Sequence, residues 1–351
     1  MYTHDSTKRV NVGTVAVGGG APISIQSMLN IPAHDAEGNV RQALELEAAG
    51  CEIIRVSVPD KETIKTVEAL KNALKIPLVA DIHFDWRLAV ESVAAGVDKV
   101  RINPGNIGDD DRVKAVADAC RAKGVPIRIG VNSGSLEKHI LAKYGAPTPE
   151  ALVESGLYHI ALLEKFDFED IILSLKSSNV KTMYDTYVAA AQVCKYPLHL
   201  GVTEAGTAAM GTVKSAAGIG GLLLRGIGDT VRISLTDNPV REVEQARRLL
   251  SAVGLRKNGI KFVSCPTCGR TAIDLIKIAN ETERRLEGVE KDITVAVMGC
   301  VVNGPGEASG ADIGIAGGKG CGVLFKHGKV LKSNIPEDRL LDCLMDEINK
   351  M

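Results

Sequence analysis

The chain has 351 residues, too many for one ordinary domain but enough for a barrel-sized domain and a smaller companion. With 45% hydrophobic residues and no low-complexity tract it reads as globular, and a net charge of −1 removes any global argument for nucleic acid or a membrane surface as partner. MYTHDSTKRV has no apolar core of signal-peptide length and no apolar run could span a bilayer, so the expected compartment is the cytoplasm, where eight cysteines favour metal binding over a disulfide framework.

Along the chain, RVNVGTVAV has the alternating valines of a hairpin. A rhythm follows in which short β-rich runs alternate with helical patterns. The runs are PISIQSM, CEIIRVSV, PLVADIHF, KVRINPGN, PIRIGVNS, DIILSLKSS, PLHLGVTEAG and DTVRISLT. Between them lie segments such as DKETIKTVEALKNAL and DDDRVKAVADACRAKG, with acidic starts and apolar residues at helical spacing. Eight such units in about 250 residues predict a (β/α)8 barrel over residues 1–255, with a doubly wound open sheet as the alternative because strand order is not legible locally.

Within these strands one face stays apolar and the other is polar. Ordinary parallel strands are apolar on both faces. Here the polar set is Ser24 and Gln26, Arg55 and Ser57, Asp81 and His83, Arg101 and Asn103, Arg128 and Asn132, Ser174 and Lys176, Arg232 and Ser234. The alternate residues, such as Ile54, Val56, Ile102, Ile127, Ile129, Ile233 and Leu235, are expected under the helices. In a barrel the polar face points inward and, at the strand ends, toward the mouth where barrel enzymes keep their sites. Four guanidiniums and Lys176 converging there cost several kcal/mol per ion unless countered, and Asp81 neutralises only part. The missing charge points to a ligand rich in phosphate or carboxylate oxygens, against the plainer reading of arginines paired with rim acids. No GxxxxGK[ST] or GxGxxG is present, GIGG at Gly218 reads as close helix packing, and His159 and His199 read as satisfied core residues.

Residues 256–351 form a second, smaller α/β domain. KFVSCPTCGR leads to a helix from about Ala272 to Leu286, then a strand (DITVAVMG), the loop CVVNGPGEA, another apolar run (ADIGIAGG), a hairpin at KHGK and a terminal helix. Cys265 and Cys268, in CPTC, can grip one metal centre from a tight turn, and Cys300 at a strand end is the natural third ligand. A second CxxC and a nearby histidine are both absent, which disfavours zinc. Three thiolates leave one exchangeable corner, for which Glu307 and Cys321 are both candidates on spacing alone. Cys51, Cys120, Cys194 and Cys343 read as small core residues.

CPTCGR, MGCVVNGPGEA and ADIGIAGG, with the strand ends RVSVPD, ADIHFD, VRINPGN and RIGVNSGS, closely resemble the IspG (GcpE) family of 4-hydroxy-3-methylbut-2-enyl diphosphate synthases over essentially the whole chain, in its two-domain bacterial form. The resemblance implies a [4Fe–4S] cluster, one per subunit, on Cys265, Cys268, Cys300 and Glu307. It implies reduction of 2-C-methyl-D-erythritol 2,4-cyclodiphosphate with two electrons from ferredoxin or flavodoxin. By motif position it makes Arg55, His83, Arg101, Arg128, Asn132, Lys176 and Ser234 substrate contacts, and Glu204, in VTEAG, a proton donor. Strand parity does not place Glu204 inward, since Leu198, Leu200 and Val202 share it. The resemblance also implies a homodimer in which one subunit's barrel faces the other's cluster domain.

Overall fold

The structure is a computed structural model that describes residues 4–351 other than 135, 257, 258, 288, 290, 302–305 and 307. It divides into two compact units, Met1–Arg256 and Lys257–Met351.

The first unit opens with a hairpin, β1 (Val10–Val12) against β2 (Val15–Val17), turned at Gly13 with φ 53°. Eight parallel strands follow: β3 (Ser24–Met28), β4 (Ile53–Ser57), β5 (Leu78–Asp81), β6 (Lys99–Ile102), β7 (Ile127–Asn132), β8 (Ile171–Lys176), β9 (His199–Leu200) and β10 (Thr230–Val231). Their order is β8-β7-β6-β5-β4-β3-β10-β9. The two ends meet through a parallel bridge between Leu173 and Leu198, with the Leu173 N–H donating to the Pro197 carbonyl at 2.9 Å. The sheet is therefore a closed barrel, not an open doubly wound sheet.

Helices begin where short polar side chains catch the first free N–H groups. Asp35 accepts from Gly38, Asp109 from Arg112 and Asn179 from Thr182, each in the loop that leaves a strand's C-terminal end. Ile54, Val56, Ile102, Ile127 and Ile129 are buried with Leu46, Leu70 and Val116 of the helices in one core. At the opposite end Val10, Val12 and Val17 pack on the inward-facing Ile53, Val79 and Ile172, so the hairpin plugs the barrel floor. The polar interior then opens at the strands' C-terminal end.

Two strands are shorter than their sequences imply. After Val231 the ladder continues only as far as Arg232, whose N–H donates to Leu200. The Leu235 N–H is taken by the Glu242 carboxylate at 3.0 Å and that of Thr236 by Gly206. A side chain from a helix has replaced the neighbouring strand as acceptor. GIGG does serve close packing: a Cβ at Gly218 would fall 2.5 Å from Met183 and one at Gly221 3.2 Å from Tyr184.

The second unit is a five-stranded sheet in order β11 (Lys261–Ser264), β12 (Thr294–Met298), β13 (Ile313–Gly318), β14 (Cys321–Lys326), β15 (Lys329–Pro336), the first three parallel and the last two antiparallel. Helices Leu275–Leu286 and Glu337–Lys350 bury Leu275, Ile278, Leu340 and Leu344 against Val295, Val297, Ile313 and Ile315. The first helix starts three residues later than expected. Thr271 and Ala272 spend their N–H groups on Cys268 and Gly299, tying that stretch to the sheet end before Asp274 caps the helix.

Candidate active site

The barrel interior is built from the residues that period two turns inward. Asp81 on β5 lies at its centre, with Arg101 Nη1 at 2.9 Å from Oδ1, Arg55 Nε at 3.6 Å and His83 Nε2 at 3.7 Å from Oδ2. Burial alone would push the Asp81 carboxyl up, but Arg55, Arg101 and Arg128 outweigh it and hold it well below the usual carboxylate range. Arg232 is held by Glu242, at 3.2 and 3.3 Å, and Ser27 donates to the same carboxylate. Glu242 comes from the helix Pro239–Ala252, so no strand pattern could have announced it.

The interior nevertheless keeps a cation surplus. Arg55, Lys99, Arg101, Arg128, Lys176 and Arg232 face two carboxylates among the described residues, Asp81 and Glu242. Arg128 is 1% exposed, and its Nε and Nη2 have no partner; neither has Arg101 Nε. Arg55 reaches only the weakly accepting Met28 sulfur, at 2.6 Å, besides Asp81, and burial with its cationic neighbours lowers it to about 10. Lys176 is buried, and burial followed by Arg128 and Arg232 pulls its pKa well below that of an ordinary lysine. Burying such charges without partners costs more than the fold recovers from them, so the arrangement suits a polyanion.

Three members of this interior escaped the sequence reading. Lys99 shares the inward parity of Arg101, and that parity was available in KVRIN. His199 was expected to be a satisfied core residue. It is fully buried, but both ring nitrogens lack a partner because the surrounding groups are donors and cations. His159 meets that expectation in part: it is fully buried with Nε2 2.5 Å from Glu137 Oε1, while Nδ1 has no partner. The third is Glu242. A further signal lay in the inward glycines: a Cβ at Gly130 would fall 2.5 Å from Arg101 Nε, and one at Gly201 2.9 Å from Lys176 Nζ. Both are where long cationic side chains cross the barrel.

At the mouth, His83 and Glu204 are exposed, while Asn132 and Ser234 are half-buried just past or at their strand ends. Glu204 has φ 51°, a left-handed backbone that non-glycine residues seldom adopt. That turn ends the alternation in which Leu198, Leu200 and Val202 are core residues. It frees Glu204 from the outward parity that the strand pattern assigned to it.

In the second unit, parallel pairing of Ser264 with Val297 brings Cys265 and Cys300 to one end of adjacent strands. The Gly299 N–H donates to Cys265 Sγ at 3.1 Å, so the residue before Cys300 touches the first sulfur. Cys268 is exposed, and backbone hydrogen bonding at Arg270 lowers its thiol pKa. Cys321 pairs with Gly318 at the same sheet end; a Cβ on Gly318 would fall 3.9 Å from its sulfur and 3.8 Å from Val301. Glu307 lies outside the described residues. Among the described residues no three Cys, His, Asp or Glu side chains close on one ion. Cys265 and Cys268 in one turn and Cys300 at the end of the neighbouring strand, with the Gly299 N–H aimed at the Cys265 sulfur, supply thiolates that suit a soft metal centre, an iron–sulfur group among them. Cys51, Cys120 and Cys194 are buried, which pushes their thiols up to about 12, 12 and 11.

Fold and site together define a two-domain barrel enzyme with a cation-filled interior and a cysteine-bearing companion domain. The chain matches the GcpE TIM-barrel domain over residues 7–247 and the GcpE protein C-terminal domain over residues 261–350, and it belongs to that family. It is 56% identical to the 4-hydroxy-3-methylbut-2-en-1-yl diphosphate synthase (flavodoxin) of Caldanaerobacter subterraneus subsp. tengcongensis, covering 98% of this chain and 97% of that one. The synthase of the same name from Clostridium perfringens is 55% identical over the same shares. Among solved structures, 3-dehydroquinate dehydratase from Geobacillus kaustophilus aligns with TM-score 0.53 at 14% identity, covering 74% of this chain and 100% of that one. Dihydropteroate synthase from Stenotrophomonas maltophilia aligns at 0.51 with 15% identity, covering 71% and 98%. These two likenesses speak for the barrel fold alone. No helix among the described residues is long and apolar enough to cross a membrane.

Proposed function

We infer that the chain converts 2-C-methyl-D-erythritol 2,4-cyclodiphosphate, with two electrons and two protons, into (E)-4-hydroxy-3-methylbut-2-enyl diphosphate and water, a step of isoprenoid synthesis by the methylerythritol phosphate route. The observation that carries this reading is the buried cation surplus in the barrel of a chain more than half identical to synthases of that name. Arg55, Arg101, Arg128 and Lys176 neutralise the diphosphate and stabilise it as the leaving group when the ring opens. Asn132 and Ser234 supply neutral hydrogen bonds at the rim. Glu204 or His83 delivers the proton to the departing hydroxyl, and the strained Glu204 backbone is of the kind that collects at functional sites.

Cys265, Cys268, Cys300 and Glu307 hold a [4Fe–4S] cluster, which when bound supplies electrons singly and one Lewis-acidic iron. For the fourth position the family resemblance supports Glu307; Cys321 lies at the same sheet end as the thiols and is the rival ligand. Flavodoxin is the donor that the relatives' name supports. The working unit is a cytoplasmic homodimer in which the barrel of one subunit faces the cluster domain of the other. Anaerobic turnover of the cyclodiphosphate with a low-potential reductant, followed by diphosphate product, tests the reading. Colourless protein with stoichiometric zinc and no product would overturn it.

A further inference from the structure

Two titratable groups in the barrel belong to none of these roles. Lys99 lies on β6 two residues before Arg101, wholly buried, and its Nζ donates to Gln26 Oε1 at 3.1 Å. His199 lies on β9 beside Thr230, also wholly buried, with Nδ1 and Nε2 both unpartnered. Its backbone is pinned, since the Tyr187 hydroxyl donates to its carbonyl at 2.5 Å. The charged groups facing His199 are Arg128, Lys176, Lys99 and Arg55; those facing Lys99 are Arg128 and Arg55. The interior carboxylates are already engaged, Asp81 by Arg55 and Arg101 and Glu242 by Arg232. Gln26 Nε2 and Ser24 Oγ nearby are unpartnered as well.

A proton on either group adds charge to a field that is already positive, buried and short of anions. The site therefore favours the neutral form of both bases and leaves the charge on the guanidiniums. A doubly charged anion at Arg128 and Lys176 offsets most of the cation surplus, and so removes most of the charge that opposes a proton on either group. We propose that Lys99 and His199 form the floor of the anion cavity, and that each takes up a proton when the cyclodiphosphate binds. Substrate then brings its own extra positive charge into the site, and the empty barrel is spared the cost of holding it. Burial first, and Arg128 next, keep both groups well below their ordinary pKa in the free protein, in line with this assignment.

The inference rests on the anion-site reading above, and the test separates the two. Each phosphorus of the cyclodiphosphate carries one strongly acidic hydroxyl, so the ligand does not titrate near neutral pH. Proton uptake on binding, measured calorimetrically in buffers of different ionisation enthalpy and without a reductant, then reports the protein alone. The wild type is expected to take up about two protons or more, and affinity to fall about tenfold per pH unit for each proton as pH rises. Lys99→Met and His199→Gln should each lower the count by about one while still binding. Lys99→Arg, which keeps its charge throughout, should lower it by one with affinity retained. Binding with equal heats in all buffers, or counts unchanged in the variants, would overturn the floor assignment and leave the anion site standing. No binding at all would overturn both. A wild-type count of zero overturns the assignment even where a variant does not fold, and the losses in the Lys99 and His199 variants distinguish these two groups from Lys176, whose pKa is lowered in the same way.

Discussion

Arg128→Met should make the protein more stable and nearly useless as an anion binder. Arg128 is 1% exposed, has two N–H-bearing nitrogens without acceptors, and sits beside Arg55 and Arg101. Each unmet buried donor costs about 1–3 kcal/mol, and replacing buried charge by an apolar side chain of similar length commonly stabilises by about 1–4 kcal/mol. A gain of roughly 2 kcal/mol corresponds to a rise of about 4–8 °C in the unfolding temperature of a unit this size. On the binding side, two charge-assisted hydrogen bonds to phosphate are lost at about 1.5–3 kcal/mol each, which is ~10²-fold or more in affinity. Thermal unfolding and calorimetric titration with the cyclodiphosphate measure both. A lower melting temperature, or affinity within threefold of wild type, would refute the claim that this guanidinium is held for a ligand.

Three other outcomes are expected. Cys321→Ser should leave the iron content and Mössbauer spectrum unchanged, whereas Glu307→Ala should keep a cluster but alter one iron; the reverse pattern would make Cys321 the fourth ligand. Glu204→Asn keeps a residue that tolerates φ 51° and removes the acid, so stability should stay within about 0.5 kcal/mol while turnover falls ~10²-fold or more. Equal losses of both would mark Glu204 as merely structural. For Glu137, burial alone would raise the pKa, but His159 outweighs it and holds the carboxyl at about 2. A depressed folded pKa stabilises above the unfolded value, near ~4.3, and that stability is lost as pH falls toward 2. Glu137→Gln should flatten denaturant-measured stability across that window, and an unchanged slope would dismiss the pair as a contributor.

Much of the barrel was legible because β-strand periodicity is local. Alternation in CEIIRVSV or PIRIGVNS tells which side chains face one way, whatever the partner strand. It sorted Ile54 and Ile127 from Arg55 and Arg128 before any pairing was known. The same rule does not extend to Glu204, where a left-handed residue breaks the count, and it did not foresee that the β10 ladder stops after Arg232, once Glu242 and Gly206 capture the N–H groups of Leu235 and Thr236. His199 looked like core, and burial is indeed complete; that its nitrogens have no acceptors depends on four basic side chains arriving from other strands, Arg55, Lys99, Arg128 and Lys176.

The second unit divides the same way. CPTC and the strand-end Cys300 mark thiols by spacing, but that Cys265 and Cys300 share a sheet end follows from β11 pairing in parallel with β12. The β13–β14 turn carries Cys321 to that end as well, a placement that spacing alone did not show. By itself the sequence determined the alternating strands, the helices between them, the inward cations and the paired thiols of CPTC, since each is a matter of residues within a few positions of one another. Closure of the barrel, the plugged floor, the Glu242 anchor and the shared sheet end of Cys265 and Cys300 were decided only in three dimensions, because hydrogen-bond partners and counter-charges are chosen among groups that lie tens to hundreds of residues apart.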